Sequence, residues 1–207
     1  MTRPLRDLLI LNADDPHAAE MAEIVERIND VSPTWNLLGL VTAKPEWVGG
    51  VLNGYQLFDA EALDAYPNAA VAEFGWRGEV AMERRATLVD PSAFVSRTAQ
   101  IAPGCILYPN CFVGLNAVLG ARVFCLSGAI INHDDCLEEG VVLCSGATLA
   151  GGVYVEADSY LGQGSQVRQN LRIGRHSVVG MGTVVVKDVP AESVVVGNPA
   201  RLLRANT

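Results

Sequence analysis

Basic residues are scarce in this 207-residue chain: 15 lysines and arginines stand against 23 aspartates and glutamates, for a formal net charge of −8. A charge balance of that sign lacks the basic footprint that phosphate-backbone or anionic-membrane binding requires, so nucleic-acid and membrane-surface roles are excluded as expectations. Long apolar runs are missing too. The first, Leu8 to Leu11, is four residues long and is followed at once by Asn12-Ala13-Asp14-Asp15, which makes it neither a signal-peptide core nor a membrane span. A cytoplasmic protein is the expectation. The five cysteines include no C-x-x-C pair, which argues against a disulfide framework and a zinc ribbon. With only three histidines, His17, His133 and His176, no metal site is expected.

What the chain does have is a period. From Val89 to Val185, every sixth residue is aliphatic, with Cys125 the one exception. Four residues after each comes a small residue, except at Asp135 and Leu171; three residues after each comes Gly, Asn or Asp in thirteen of seventeen hexads. Those three residue types tolerate positive φ, so their column turns the chain. A short strand with one large inward residue, a corner and one small inward residue, repeated every six, describes a three-sided prism with eighteen residues per coil. Successive coils stack as parallel strands roughly 4.8 Å apart, each burying its inward face on its neighbours. Periodicity alone does not give the hand of the solenoid.

Residues 1–85 read as a small α/β subdomain. Leu8 to Leu11 suits a buried strand, Asp15 a helix N-cap with Pro16 at the first helical position, and Met21, Ile24, Val25 and Ile28 keep one helical face apolar. Leu37 to Val41 predicts a second strand, with weaker strand patterns around Leu57 and Val71 among glycines that include Gly75 and Gly78. Residues 86–190 form the β-helix, and residues 191–207 a C-terminal tail.

The most polar hexad is Ile131-Asn132-His133-Asp134-Asp135-Cys136. It puts a carboxylate in the small inward column, where a charge needs a partner. One coil away from His133 lie Leu115 and Gly151. A base beside an approachable glycine backbone, with a carboxylate to orient the ring, has the parts needed for acyl transfer; the alternative is that Asp134 only serves the turn and His133 only faces solvent. His176 falls in the turn column and His17 in the first helical turn, where solvation accounts for it. The loop Asn12-Ala13-Asp14-Asp15-Pro16 has no glycine and two carboxylates, which argues against phosphate binding there.

The segment from Ala86 to Ala93, the Asn132-His133-Asp134 site, the run Ser145 to Val153, and the close Val185 to Pro190 with Gly197-Asn198-Pro199-Ala200 resemble the hexapeptide-repeat sugar acetyltransferases. The nearest branch includes bacillosamine and perosamine N-acetyltransferases and sialic acid O-acetyltransferases. The resemblance implies a left-handed parallel β-helix preceded by a small α/β, Rossmann-like subdomain, and a homotrimer with acetyl-CoA in the groove between neighbouring β-helices. It implies His133 as general base, with Asp134 raising its basicity, acting on an amine or hydroxyl of a sugar, free or nucleotide-linked. Coenzyme contacts would fall on Gly151, Gln163, Gly180 and Met181, and on Asn198, Pro199 and Ala200 in the tail; acceptor contacts would fall on Asn132, Asn12 and His17 through the head. The chain departs from that pattern at Val142 and Leu126, where relatives carry a second His and an Asn, and in the acidic head loop. Two other readings are a non-catalytic β-helix that binds a sugar or scaffolds a partner, and a γ-type carbonic anhydrase, for which the repeat has too few histidines.

Overall fold

A computed structural model describes residues 4–74 and 80–206; Gly75 and Gly78 lie outside them. The chain divides into two compact units at Pro91/Ser92.

The first unit is built on β1 (Arg6–Ile10), whose apolar run is followed by α1 (Pro16–Val31) and β2 (Trp35–Val41). Leu8, Leu9, Ile10 and Leu11 are fully buried, as a strand enclosed on both faces requires. Further along lie β3 (Val51–Leu52), β4 (Tyr55–Phe58), the single turn α2 (Ala62–Ala65) and β5 (Ala70–Ala72). The sheet order is β3-β4-β2-β1-β5; β1 pairs in parallel with both β2 and β5, β2 in parallel with β4, and only β3 and β4 are antiparallel. Helix α1 starts where the side-chain rules place it. The Asp15 carboxylate accepts the His17 backbone N–H, Pro16 opens the helix, and Ala18, Met21, Ala22, Ile24 and Val25 are buried.

The second unit is a parallel β-helix of two-residue strands. On its first face, strand Phe112–Val113 pairs with Phe94–Val95 on one side and Ile130–Ile131 on the other, and the column continues through Thr148–Leu149, Gln166–Val167 and Val184–Val185. The second face runs Gln100–Ile101, Val118–Leu119, Cys136–Leu137, Tyr154–Val155, Arg172–Ile173. The third runs Ile106–Leu107, Phe124–Cys125, Val142–Leu143, Tyr160–Leu161, Val178–Val179. Every pairing steps by eighteen residues without a bulge. The inward aliphatics from Leu107 to Val185 are at most 2% exposed, so the hexad column is the core.

The corners sit where positive φ was expected. Fourteen consecutive turn positions from Gly104 to Gly182 adopt it, including Arg122 (φ 58°) and His176 (φ 53°), neither of which belongs to the preferred residue types. The repeat imposes the conformation on them, at a cost of about 1 kcal/mol each. The solenoid also continues beyond residue 190. Strand Ser193–Val196 adds to the third face with a sixteen-residue step, Val178 opposite Val194, and then folds back antiparallel on Arg201–Ala205. The three consecutive valines at 194–196 explain why this part of the tail prefers a strand.

Candidate functional site

The corner between Ile130–Ile131 and Cys136–Leu137 carries the polar hexad. Asp134 occupies the left-handed turn position at φ 61°, which swings its carboxylate back along the corner. One carboxylate oxygen lies 2.9 Å from His133 Nδ1 and the other accepts from the Asn116 amide at 3.0 Å. Both hydrogen bonds, Asn116 first, hold the Asp134 carboxyl below the usual carboxylate range. An ionised carboxylate only accepts, so Nδ1 is the donor of that bond, and in the neutral ring Nε2 carries the lone pair. The imidazole is 65% exposed, which leaves that lone pair open to a ligand.

Two glycines shape this corner. A Cβ on Gly114, in the coil below, would stand 2.8 Å from the His133 backbone nitrogen; a Cβ on Gly151, in the coil above, would stand 2.9 Å from His133 Nε2. A side chain at Gly114 would press on the backbone that carries His133, and one at Gly151 would close the space that the imidazole uses. Gly151 (φ 96°) and Gly152 (φ 63°) are both left-handed, so this corner is the one place in the solenoid where the turn spreads over two residues.

Asp135 breaks the rule of the small inward column and is completely buried. Its two oxygens accept the backbone N–H of Asn132 at 2.7 Å and of Val153 at 2.8 Å, which supplies the partners a buried carboxylate needs. Burial pushes its carboxyl up to about 6 even so. The Asn132 side-chain amide turns away from the surface and donates to the Leu149 carbonyl. Asn116 and the Asp135 bonds are the site features that the residue pattern did not assign; the eighteen-residue step puts Asn116 directly under Asp134 and would have found it.

The structure thus brings Asn132, His133, Asp134 and Gly151 together on the edge between the first and second faces. Gln163 and Met181 stack one coil apart on a different edge, between the third and first faces, with Gly180 beside them; Met181 is 73% exposed, and the Gln163 carbonyl accepts from Gly182. Asn198, Pro199 and Ala200 form the turn between Ser193–Val196 and Arg201–Ala205, tied to Val184 through Gly197 and Ala200. Pro199 and Ala200 line a cavity of about 530 Å³ that also holds Lys187 and Arg201.

In the first unit, Asn12 (φ 62°) ends β1 and donates to the Phe74 carbonyl. His17 is not simply solvated: Nδ1 lies 2.6 Å from the Asp15 carboxylate and the ring meets Phe74 edge-on, centroids 4.9 Å apart. A separate cavity of about 360 Å³ is lined by Asp14, Glu20, Glu23 and Trp47. None of the five cysteines is joined in a disulfide, and of the five only Cys136 is not buried; burial pushes the Cys105 thiol up to about 11. Among the described residues, no three His, Cys, Asp or Glu side chains could jointly hold a metal ion, and no helix is long and apolar enough to cross a membrane.

No protein-family model matches the chain. Over 88 residues, 42% of its length, it is 40% identical to an acyl-[acyl-carrier-protein]–UDP-N-acetylglucosamine O-acyltransferase of Pseudomonas savastanoi pv. phaseolicola, and the match spans 34% of that protein. Among solved structures it is similar to GDP-perosamine N-acetyltransferase from Caulobacter crescentus, crystallised with CoA and GDP-perosamine (TM-score 0.81, 22% identity, 97% of this chain and 98% of that one). It is also similar to the acetyltransferase domain of PglB from Neisseria gonorrhoeae, crystallised with acetyl coenzyme A (TM-score 0.82, 23% identity, 97% and 100%). The fold is the left-handed parallel β-helix of these structures.

Proposed function

We propose that this chain is a hexapeptide-repeat acetyltransferase that moves an acetyl group from acetyl-CoA to an amine or hydroxyl of a sugar, with His133 as the general base. The observation that carries this reading is the His133 imidazole. Asp134, itself fixed by Asn116, holds Nδ1, while Nε2 faces the space kept open by Gly151. In the reaction the acceptor nitrogen or oxygen attacks the thioester carbonyl, its proton passes to Nε2, and the coenzyme thiolate leaves. The carboxylate of Asp134 stabilises the imidazolium that forms. Positioning the two reactants supplies the rest of the rate enhancement.

The coenzyme residues are Gly151, Gln163, Gly180, Met181, Asn198, Pro199 and Ala200, with the cations Lys187 and Arg201 available to its phosphates. Because His133 and Gln163 stand on different edges of one prism, a single copy does not enclose a coenzyme between them. A homotrimer does, by setting one edge of each copy against another edge of its neighbour. The face between those edges carries the outward column Phe94, Phe112 and Ile130, exposed at 57%, 38% and 36%, and a partner copy would cover it. That acceptors of the neighbouring structures include GDP-perosamine supports a sugar, free or nucleotide-linked. Asn12 and His17 in the first unit, and Asn132 in the second, are the acceptor residues of this reading. The carboxylates of the head loop oppose phosphate binding at that loop. Cysteines held as thiols rather than disulfides fit a cytoplasmic location.

Calorimetric titration of acetyl-CoA into the wild-type protein and the His133→Ala variant tests the reading without a choice of acceptor. Both proteins are expected to bind saturably, and the variant to lose about 10²–10⁴-fold in turnover once an amino-sugar acceptor is supplied. No binding by either folded protein overturns the transferase and leaves a β-helix that binds a sugar or scaffolds a partner.

A further inference from the structure

Backbone hydrogen bonds recur from coil to coil along this edge of the prism, and two of them are replaced at the site. At equivalent positions in the coils below and above, the N–H of Gly114 donates to the Ile131 carbonyl and the N–H of Ala150 to the Val167 carbonyl, one coil ahead. The N–H of Asn132 instead turns inward to Asp135, and the Leu149 carbonyl it leaves is taken by the Asn132 side-chain amide. Likewise, on the same edge, Ala99 and Ala117 of the small column donate their N–H to the carbonyl three residues back. At Val153 that donor goes to Asp135 of the coil below.

Both replacements flank the reacting atoms. Asn132 immediately precedes His133, and Val153 immediately follows the Gly151–Gly152 corner whose missing Cβ makes room for the imidazole. Everywhere else the inward column is filled by Ala, Cys, Ser, Thr, Val or Leu, none of which has an ionised side chain.

We propose that Asp135 is a positioning residue: its buried carboxylate takes the two backbone N–H groups that the widened Gly151–Gly152 corner releases, and so fixes the register of His133 against Gly151. The carboxylate is the residue type that suits the task, because two acceptor oxygens on one planar group reach donors in two successive coils. Its burial raises the carboxyl toward neutrality, so at neutral pH the chain carries a charge that packing alone would disfavour. The charged groups acting on it are His133, which favours ionisation, and Asp134, which opposes it. Such retained cost at a site is the mark of geometry held for a purpose.

The catalytic part of this proposal rests on the transferase reading, whereas the geometric part does not. The test uses full-length Asp135→Ala, which restores an ordinary small inward residue, and Asp135→Asn, which keeps one acceptor. Crystal structures of both and steady-state kinetics with acetyl-CoA are compared with wild type. The expected result is a folded Asp135→Ala protein in which Asn132 N returns to the Leu149 carbonyl and the imidazole leaves the Gly151 position. Its kcat falls about 100-fold, as a displacement near 1 Å produces, its acetyl-CoA KM stays within about twofold, and Asp135→Asn falls between. An Asp135→Ala structure with His133 and Gly151 unmoved, or an unchanged kcat, overturns the proposal. If the wild type transfers no acetyl group while the imidazole still moves in Asp135→Ala, the transferase reading fails and the positioning role stands.

Discussion

At the scale of the residue, the two adjacent carboxylates of the site respond to pH in opposite senses. Asp134 is exposed and held ionised by Asn116 and His133, so what it adds to stability is lost as pH falls from the ordinary carboxylate range through its lowered value. Asp135 is buried and pushed up to about 6 from 3.8. The native state therefore keeps a proton that the unfolded chain has already released between those values, and stability falls as pH rises through the window, by about 3 kcal/mol. Urea unfolding at pH 4.5 and pH 7 is expected to show about 2 kcal/mol of that decline in the wild type and none of it in Asp135→Ala. Equal slopes in the two proteins would place the titration elsewhere.

At the scale of the element, left-handed glycines at different corners differ in what surrounds them. Gly146 and Gly151 both have positive φ, yet a Cβ on Gly146 meets nothing within 4 Å while one on Gly151 meets the imidazole. Gly146→Ala should cost about 1–2 kcal/mol of stability from the left-handed backbone alone, with kcat unchanged. Gly151→Ala should cost a similar amount and lower kcat about 10–100-fold by displacing His133, which melting curves and initial rates on the pair separate. Much of this was legible in the chain. The column at every sixth residue gave strands, corners and core, because a solenoid repeats one local solution and each residue's environment follows from its place in the hexad. The His133–Asp134 pair stood out in the most polar hexad, and its neighbour Gly151 followed from the eighteen-residue step. The inward bonds of Asp135 did not, since they depend on which N–H groups a widened corner releases, and that is a property of two coils together. The added strand Ser193–Val196 was hidden for a related reason: its step of sixteen leaves the period that made the rest readable.

At the scale of the whole molecule, the outward column Phe94–Phe112–Ile130 is the face that a partner copy covers in the proposed trimer. Phe94 and Phe112 stack with centroids 5.0 Å apart, a flat apolar surface suited to burial against another copy. Phe112→Asp puts a charge at its centre and is expected to convert a trimer to monomer in light scattering behind size exclusion. Acetyl transfer should be lost with it although His133 is untouched. A wild-type monomer that transfers acetyl groups would show that one copy suffices.

The unbroken step of eighteen also has a genetic reading. Deleting a single codon within the repeat would turn every downstream inward residue outward, as any slip of register does, whereas duplicating eighteen codons would insert a coil and leave each side chain on its own side. The chain can therefore lengthen by whole coils and hardly otherwise. A stretch that such a copying event would not reproduce neutrally is that between Asn132 and Val153, where a carboxylate in one coil answers to a corner in the next, and a duplication cut between them would separate the two.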